Sequence, residues 1–458
     1  MSSISTSNVT SGFIDLATFD EIEKYLYGGP DATAYFVRET RKSTWFTQVP
    51  VVLSRASGSP AFGQEWAVSI SRAGDYLLQT WLRLTTPQVV ISPTNQFLLN
   101  GRLRWTKNFM HNIIRECCIT FNDLVAARFD NYQLDFWAAF TVPAGKRNGY
   151  NNMIGNIDAL TGPNTTLPAT ILNLPLPFFY GRDSGVALPT AALPYNEMRI
   201  NFSMRDWTEL LILCNTNPAV SGVSQDRFVP QTTDITQTPV LGTTNVWANY
   251  AIVSNDERKR MACAPRDILI EQVQTAPRQT FTPTASGSQQ SFDIRFSHAI
   301  KVLFFAVRNK TFAAEWSNYT TGSPFTTPTA VVVSTSAVDP ISATSLIYEN
   351  TNRLAQMGSD YFALINPYYN APVIPTETGF HTYSYSLDFI SLDPMGSTNY
   401  GKLTNVSIIP ESSPLAFVGA SGTGPSGLNY VQTYEFVITA VNNNIIRVSG
   451  GALGFPVL

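Results

Sequence analysis

The feature that most constrains the fold is an alternation of apolar and polar side chains with a period of two residues. In the segment MRINFSM at residues 198–204, every second side chain is apolar. Because successive side chains of a strand point to opposite faces, this pattern predicts a half-buried β-strand. The same alternation recurs in both halves of the chain, at residues 66–70, 292–296 and 383–389. The sequence therefore predicts an all-β protein.

The composition supports this fold class and excludes several others. Only 14% of the 458 residues are charged while 44% are hydrophobic, against roughly 25% charged residues in an average soluble chain. Disorder and coiled coils are excluded because both require many charged residues. The net charge of −3, without a strong cluster of Lys and Arg, argues against direct, sequence-specific binding of nucleic acid.

The compartment is indicated by the N-terminus and the cysteines. No apolar segment approaches the roughly 20 residues needed to span a bilayer, and MSSISTSNVTSG lacks the basic start and apolar run of a signal peptide. We therefore expect the chain to stay on the cytosolic side, where thiols are kept reduced. The expectation of free thiols covers all of its cysteines: Cys117, Cys118, Cys214 and Cys263.

Short helices are predicted at two places. Thr18 and Glu21 have the spacing of a capping box, and the apolar side chains that follow, Phe19, Ile22, Tyr25 and Leu26, fall on one side of a helix that Gly28 would stop. Carboxylates such as Glu21 in a first helical turn complement the helix dipole. The sequence thus predicts an amphipathic helix over residues 18–27.

The second predicted helix marks a domain boundary. Ser254 and Glu257 again have capping-box spacing, and the charged segment that contains Arg258 runs to Pro265 before a strand-like sequence resumes. The chain is divided there into pieces of about 250 and about 190 residues, each the size of a large β-sandwich. Long loops are expected at residues 155–170, 216–244, 320–343 and 411–427.

Motifs for catalysis or cofactors are weak. His111, His298 and His381 are too dispersed to indicate a zinc site. His298 and His381 are better explained as polar residues satisfied at the ends of strands. The glycines of GTGPSG at residues 422–427 match a dinucleotide fingerprint, but a strand-like sequence follows where a helix is required. We therefore expect no catalytic residue, no metal, no cofactor and no enzymatic activity.

Two aromatic runs allow a different function. PFFY at residues 177–180 and PYY at residues 367–369 could stack against sugars on an exposed sheet face, although packing in a core or between subunits is the interpretation we favour.

Longer strings in the sequence resemble the major capsid proteins of the nucleocytoplasmic large DNA viruses, and most closely those of the iridoviruses. The matching strings include GFIDLATFDEIEKYLYGG at 12–29, TWFTQVP at 44–50, FGQEWAVSISRAGDYLLQTWLRL at 62–84, RWTKNFMHN at 104–112, LPLPFFYGRDSGVALPTAALPYNEMRIN at 174–201 and DERKRMACAPRDILIEQVQ at 256–274. Weaker matches lie at 292–309 and 379–389. Together the matching strings cover nearly the whole chain, and the resemblance fails mainly in the four long loops.

The resemblance implies an all-β double jelly roll, two eight-stranded antiparallel sandwiches in tandem with few short helices. An N-terminal arm would cover residues 1–35, the first jelly roll 36–253, a connecting helical segment 254–266 and the second jelly roll 267–458. The arm helix, with Thr18, Phe19, Glu21, Ile22, Tyr25 and Leu26, would face the interior. Ser254, Glu257, Arg258 and Pro265 would belong to the connector.

The resemblance also implies a structural function. Homotrimers would form pseudo-hexagonal capsomers that tile the icosahedral shell of a large double-stranded DNA virus around an internal membrane. The partners would be further copies of the chain, minor capsid and penton proteins, and the membrane beneath the arm. The shell would assemble in the host cytoplasm and would be the capsid of the virion.

Two other functions stay open at this point. A carbohydrate-binding, lectin-like sandwich would also be a jelly roll with exposed aromatic side chains. A glycoside hydrolase would need two carboxylates about 5 to 10 Å apart in a groove, a distance that a sequence does not give.

Overall fold

The structure is a computed structural model that describes residues 2–93, 101–215, 227–321, 339–418, 421–423 and 429–457. Contacts between residues divide the chain into two compact units, Met1–Trp45 and Phe46–Leu458. The first unit ends ten residues after the predicted end of the arm at residue 35.

The first unit consists of two helices, α1 (Ser2–Ala17) and α2 (Glu21–Leu26). The predicted capping box of Thr18 and Glu21 is wrong. Asp20 is the N-cap of α2, and its backbone N–H donates to the Glu23 carboxylate at 3.2 Å. The Thr18 hydroxyl instead donates to the Asp15 carbonyl at 2.9 Å, so that Thr18 belongs to the end of α1, a helix that the sequence pattern did not predict.

The second unit is made of short antiparallel strands. In its first part these are β1 (Phe46–Val52), β2 (Arg55–Ser57), β3 (Glu65–Ser69), β4 (Tyr76–Thr85), β5 (Val89–Val90), β6 (Gly101–Trp105), β7 (Ile114–Phe121), β8 (Leu124–Phe129), β9 (Thr166–Leu167), β10 (Ile171–Pro175), β11 (Met198–Met204), β12 (Leu211–Asn215), β13 (Arg227–Phe228) and β14 (Thr244–Val253).

Further strands follow residue 265. They are β15 (Arg266–Thr275), β16 (Gln279–Phe281), β17 (Phe292–Asp293), β18 (Ala299–Asn309), β19 (Ile341–Tyr348), β20 (Thr351–Gly358), β21 (His381–Ser384), β22 (Thr398–Asn399), β23 (Val406–Ser412), β24 (Ser421–Thr423), β25 (Asn429–Val431), β26 (Tyr434–Ser449) and β27 (Ala452–Gly454).

Five larger sheets result. Sheet A has the order β1-β14-β4-β10, sheet B β2-β3-β11-β7-β8 and sheet C β13-β12-β6. Sheet D has the order β15-β26-β18-β21, with β16, β22 and β27 at its margins, and sheet E has the order β17-β23-β19-β20. Two-stranded pairs are β5-β9 and β24-β25. In these sheets, strands that precede residue 254 pair with one another, and so do strands that follow residue 265.

The helices of the second unit are mostly in connections. They are α3 (Phe109–Asn112), α4 (Asn131–Thr141), α5 (Ala144–Ile154), α6 (Asp158–Thr161), α7 (Asn255–Cys263), α8 (Asn366–Asn370) and α9 (Pro414–Val418). Short 3-10 turns lie at Phe179–Gly181, Ser184–Val186, Thr190–Ala192, Trp207–Glu209 and Tyr400–Lys402, and one π-helical turn lies at Tyr361–Ile365.

Helix α4 was not predicted because it has no single apolar stripe. It is buried on almost all sides, as expected of a helix enclosed by other elements. The Asp130 carboxylate caps it by accepting from the Gln133 backbone N–H at 3.0 Å. Its Phe136 and Phe140 pack against Phe304 of sheet D, so that α4 covers the face of sheet D opposite sheet E.

Three apolar clusters fill the second unit. The first lies between sheets A and B and also takes in Ile268 and Ile446 of sheet D. The second lies between sheets D and E, and the third joins α4 to sheet D. Sheet D is thus covered on both faces, which explains why β18 is buried along nearly its whole length.

The predicted alternation is confirmed in β11, whose side chains are buried at every second position. It is wrong beyond Ser384, because Leu387 is 75% exposed while Ser386 is buried. The Ser384 hydroxyl donates to the Ser386 carbonyl at 2.7 Å, and the Ser386 hydroxyl donates to the Asp388 carbonyl at 3.2 Å. Such local bonds compete with a strand ladder, and the chain turns out of sheet D there.

The second predicted capping box is also wrong. Ser254 is the N-cap of α7, but its side chain makes no capping hydrogen bond. The helix is held instead by Arg258, which donates to both carboxylate oxygens of the buried Asp75 at 2.8 and 3.0 Å.

Candidate functional site

Buried charged and polar side chains gather where sheet D and the loop at residues 312–320 pack against α3, α4 and sheets B and C. We call this set the junction. Its members that precede residue 254 are Arg104, His111, Asp135, Arg182 and Arg205, and those that follow residue 265 are Glu271, Lys301, Arg308, Glu315, Trp316, Ser317 and Tyr319.

Asp135 is the centre of one part of the junction. Its fully buried carboxylate accepts from His111 Nδ1 at 2.8 Å and, on the other oxygen, from the Ser317 hydroxyl at 3.0 Å and the Tyr319 hydroxyl at 2.7 Å. The opposite ring nitrogen of His111 lies 2.6 Å from the Tyr150 hydroxyl. Burial raises the pKa of Tyr319 and of Tyr150, and the nearby Asp135 carboxylate raises both further. Both phenols are thereby held in the neutral form in which they donate.

A second part of the junction surrounds Trp316. Two guanidinium groups lie over the indole ring, Arg205 at 3.8 Å and Arg308 at 4.0 Å from its centre. Cations over an aromatic face are attracted to it, and the attraction grows when water is excluded. Burial lowers the pKa of Arg205 to about 10, which still leaves it charged at neutral pH. Next to this stack, Arg104 and Glu315 form an ion pair whose side chains are both 1% exposed.

The third part is a carboxylate shared by two cations. Glu271 of β15 accepts from Lys301 of β18 at 2.5 Å and from Arg182, which precedes residue 254. Lys301 also donates to the Ser391 carbonyl at 2.6 Å, and the Arg182 guanidinium lies 4.7 Å from the centre of the Trp137 ring.

The junction is suited to fixing parts of the chain relative to one another. Buried ion pairs and networks are strongly directional, and breaking one partner is costly. In the part of the chain that the structure describes, no three His, Cys, Asp or Glu side chains are grouped as metal ligands. The carboxylates of the junction are each engaged by donors, an arrangement that holds a structure together.

The histidines lie at three different kinds of position. His381 begins β21 and is buried, with its ring between the Asp339 carboxylate and the Phe305 carbonyl, and His298 directly precedes β18. His111 lies in helix α3 and is part of the junction. Two glycines of the fingerprint-like string, Gly424 and Gly427, lie outside the described residues.

The predicted arm and connector residues are found at separate places. Phe19, Ile22, Tyr25 and Leu26 are all more than half exposed in the first unit. Ser254, Glu257 and Arg258 lie at the start of α7, and Pro265 directly precedes β15. The direction in which the arm faces stays a prediction, as do the domain limits at 36–253, 254–266 and 267–458.

The two aromatic runs differ in exposure. Phe178, Phe179 and Tyr180 are buried, so the first run packs in the core and offers no sugar-stacking platform. Tyr368 and Tyr369 of α8 are 69% and 74% exposed. No disulfide joins any two of the four cysteines, all of which lie among the described residues.

Comparison with known proteins identifies the family. A family model described as the N-terminus of major capsid protein matches residues 34–253, and one described as large eukaryotic DNA virus major capsid protein matches residues 257–454. The chain is 66% identical to the major capsid protein of Invertebrate iridescent virus 6 over 471 aligned residues that cover both chains completely. It is 51% identical to that of Lymphocystis disease virus 1, again over both whole chains.

Solved structures share the fold at much lower identity. The PBCV-1 VP54 chain, fitted into a reconstruction of the virophage Sputnik, aligns with a TM-score of 0.73 at 19% identity, covering 93% of this chain and 100% of that one. The Faustovirus major capsid protein aligns with a TM-score of 0.68 at 12% identity, covering 92% and 93%. The expected all-β double jelly roll with few helices is confirmed.

Proposed function

The chain belongs to the major capsid proteins of large eukaryotic DNA viruses, and on that premise we propose that three copies form a pseudo-hexagonal capsomer of an icosahedral shell. Its role in the virion capsid is structural. The observation that carries the proposal is the 66% identity to an iridovirus major capsid protein over the full length of both chains.

The geometry of tiling needs rigid subunits. Two sandwiches in each of three copies give six similar modules around a threefold axis, which is how a trimer presents a nearly hexagonal outline. The outline stays hexagonal only if the two sandwiches of each copy keep a fixed position and orientation relative to each other. The junction supports this, because Arg182, Glu271 and Lys301 join parts of the chain on both sides of residues 254–265 through buried ion pairs.

The first unit supports a role beneath the shell. Apart from Glu23, its residues from position 8 onward are exposed, among them Phe13, Ile22 and Tyr25. Apolar side chains without a core of their own need a covering surface. We assign this arm to the inner side of the capsomer, against minor capsid or penton proteins and the internal viral membrane. In the described part of the chain no helix is long and apolar enough to cross a bilayer.

The remaining parts of the proposal follow from a structural role. The shell assembles in the host cytoplasm from copies of the chain, and the protein has no enzymatic activity and no sequence-specific contact with nucleic acid. The low fraction of charged residues suits broad contacts between subunits, whose centres are depleted of charge.

The trimer is tested with purified full-length protein. Light scattering coupled to gel filtration should give about three times the chain mass of 50.5 kDa, and negative-stain images should show particles with a hexagonal outline. A species that keeps the mass of one chain at the highest concentration reached would overturn the proposal.

A further inference from the structure

The outer face of sheet A has an unusual composition for a solvated sheet face. One cross-strand row on this face consists of Val52, Trp247, Trp81 and Pro175 from four adjacent strands. The two indoles lie parallel, with an angle of 9° between planes and 6.3 Å between ring centres. Neighbouring rows carry the uncharged polar side chains Gln48, Gln79, Asn173, Asn245 and Asn249, and Arg83 supplies the charge of this face.

The outer face of sheet B provides the comparison within the same sandwich. It carries Glu65, Glu116, Arg128 and Arg199, and it forms surface ion pairs such as Arg128 to Glu116 at 3.3 Å. An antiparallel sheet with one solvated face is expected to look like this. The two outer faces therefore differ in composition. The face of sheet B resembles a surface in water, whereas the face of sheet A resembles the centre of an interface, which is depleted of charge and enriched in Trp.

The size of the sheet A face fits a protein contact. The rise per residue and the spacing between strands give its four strands an area of about 500 Å². A stable protein interface buries about 800 Å² on each partner, so this face would supply its larger, central part, and adjoining loops would supply the rim. Trp, in addition, is among the residue types that most often dominate binding energy when buried at such a centre.

We propose that the outer face of sheet A, centred on Trp81 and Trp247, is the surface by which the chain contacts a second copy of itself. This inference rests on the proposed capsomer and assigns one of its contact surfaces. A second copy is the occupant because the area and the low charge of this face suit the centre of a contact between subunits, whereas a polyanion or an anionic membrane would require a basic surface. A threefold ring needs heterologous contacts, so the second copy presents a different surface to this face.

A matched pair of variants tests the assignment. Asn249 and Asn201 both lie on central strands, face outward and are half-buried, Asn249 on sheet A and Asn201 on sheet B. Asn249→Glu places a carboxylate in the proposed contact, where it would be desolvated without a partner. We expect the concentration at which half of the trimer has dissociated to rise by about tenfold or more. Asn201→Glu should leave it unchanged.

The readout is the trimer fraction against concentration, by light scattering, with circular dichroism to show that each variant is folded. Gln79→Glu, whose side chain is exposed on the same face, repeats the test if Asn249→Glu does not fold. A stable wild-type trimer that neither variant weakens would overturn the assignment and leave the capsomer standing. A wild type that is itself monomeric would overturn both.

Discussion

Substitution of Glu271 by Gln removes the carboxylate that two cations share in the junction. Lys301 keeps only the Ser391 carbonyl, while its side chain is 1% exposed and cannot turn to water. Arg182 is less affected because its side chain is 14% exposed and still donates to the Ile390 carbonyl at 2.5 Å. Breaking one partner of a buried ion pair costs about 3–5 kcal/mol, and we expect Glu271→Gln to lose about that amount of unfolding free energy.

A double-variant cycle separates the ion pair from a general disturbance of packing. Lys301→Met removes the fully buried cation, so that the double variant Glu271→Gln with Lys301→Met leaves only the Arg182 guanidinium, which is partly exposed and still donates to the Ile390 carbonyl. We expect the double variant to be more stable than Glu271→Gln alone, with a coupling free energy of about 2 kcal/mol. Glu116→Gln breaks the exposed pair with Arg128 and should cost about 1 kcal/mol or less.

The measurement is urea unfolding followed by circular dichroism at one fixed protein concentration, because oligomers have concentration-dependent midpoints. The slope of the transition shows whether a variant also changes the surface exposed on unfolding. The reasoning is refuted if Glu271→Gln is no more destabilising than Glu116→Gln, or if the effects of Glu271→Gln and Lys301→Met simply add.

Three further results are expected. Deleting residues 1–30 should leave the trimer intact by light scattering but reduce closed, membrane-containing particles in electron micrographs, and an unchanged particle yield would contradict the assignment of the arm. Mass spectrometry of the unreduced protein after alkylation should find all four cysteines as free thiols, and a disulfide-linked peptide would show otherwise. Burial raises the pKa of Asp130 above 3.8, so its contribution to stability is present below that pH and is lost as the pH rises through the raised pKa. The stability of the wild type relative to Asp130→Asn should accordingly fall as the pH rises from about 3.8 in urea unfolding, whereas a constant or rising difference would contradict the sign.

The fold class could be predicted because apolar and polar side chains alternate along every strand that has one buried and one exposed face. The segment 198–204 is such a case, and β11 has the predicted burial. Strand β18 could not be recognised in this way, because sheet D is covered on both faces and the strand is apolar at every position from 302 to 307. Helix α4 was missed for the same reason, since a helix enclosed by sheets has no polar stripe.

The junction was missed because its partners are distant in sequence. Glu271 and Arg182 are 89 residues apart, and Arg104 and Glu315 are 211 residues apart, so no local spacing indicates either pair. A signal was nevertheless present near the two ends of β18. Lys301 and Arg308 bracket the apolar run VLFFAV, and a charge next to a buried strand must find a buried partner or reach water. Asp20, which precedes Glu21 and caps α2, shows in addition that a capping box is ambiguous when several carboxylates are adjacent.

Electron cryo-microscopy of purified particles shows whether three copies of the chain build each capsomer. We expect capsomers with threefold symmetry into which three copies of residues 46–458 fit, six sandwiches around each axis, with the outer face of sheet A turned toward a neighbouring copy and a bilayer beneath the shell. Capsomer density that three copies of this chain do not fill, or particles whose shell lacks the chain, would contradict it.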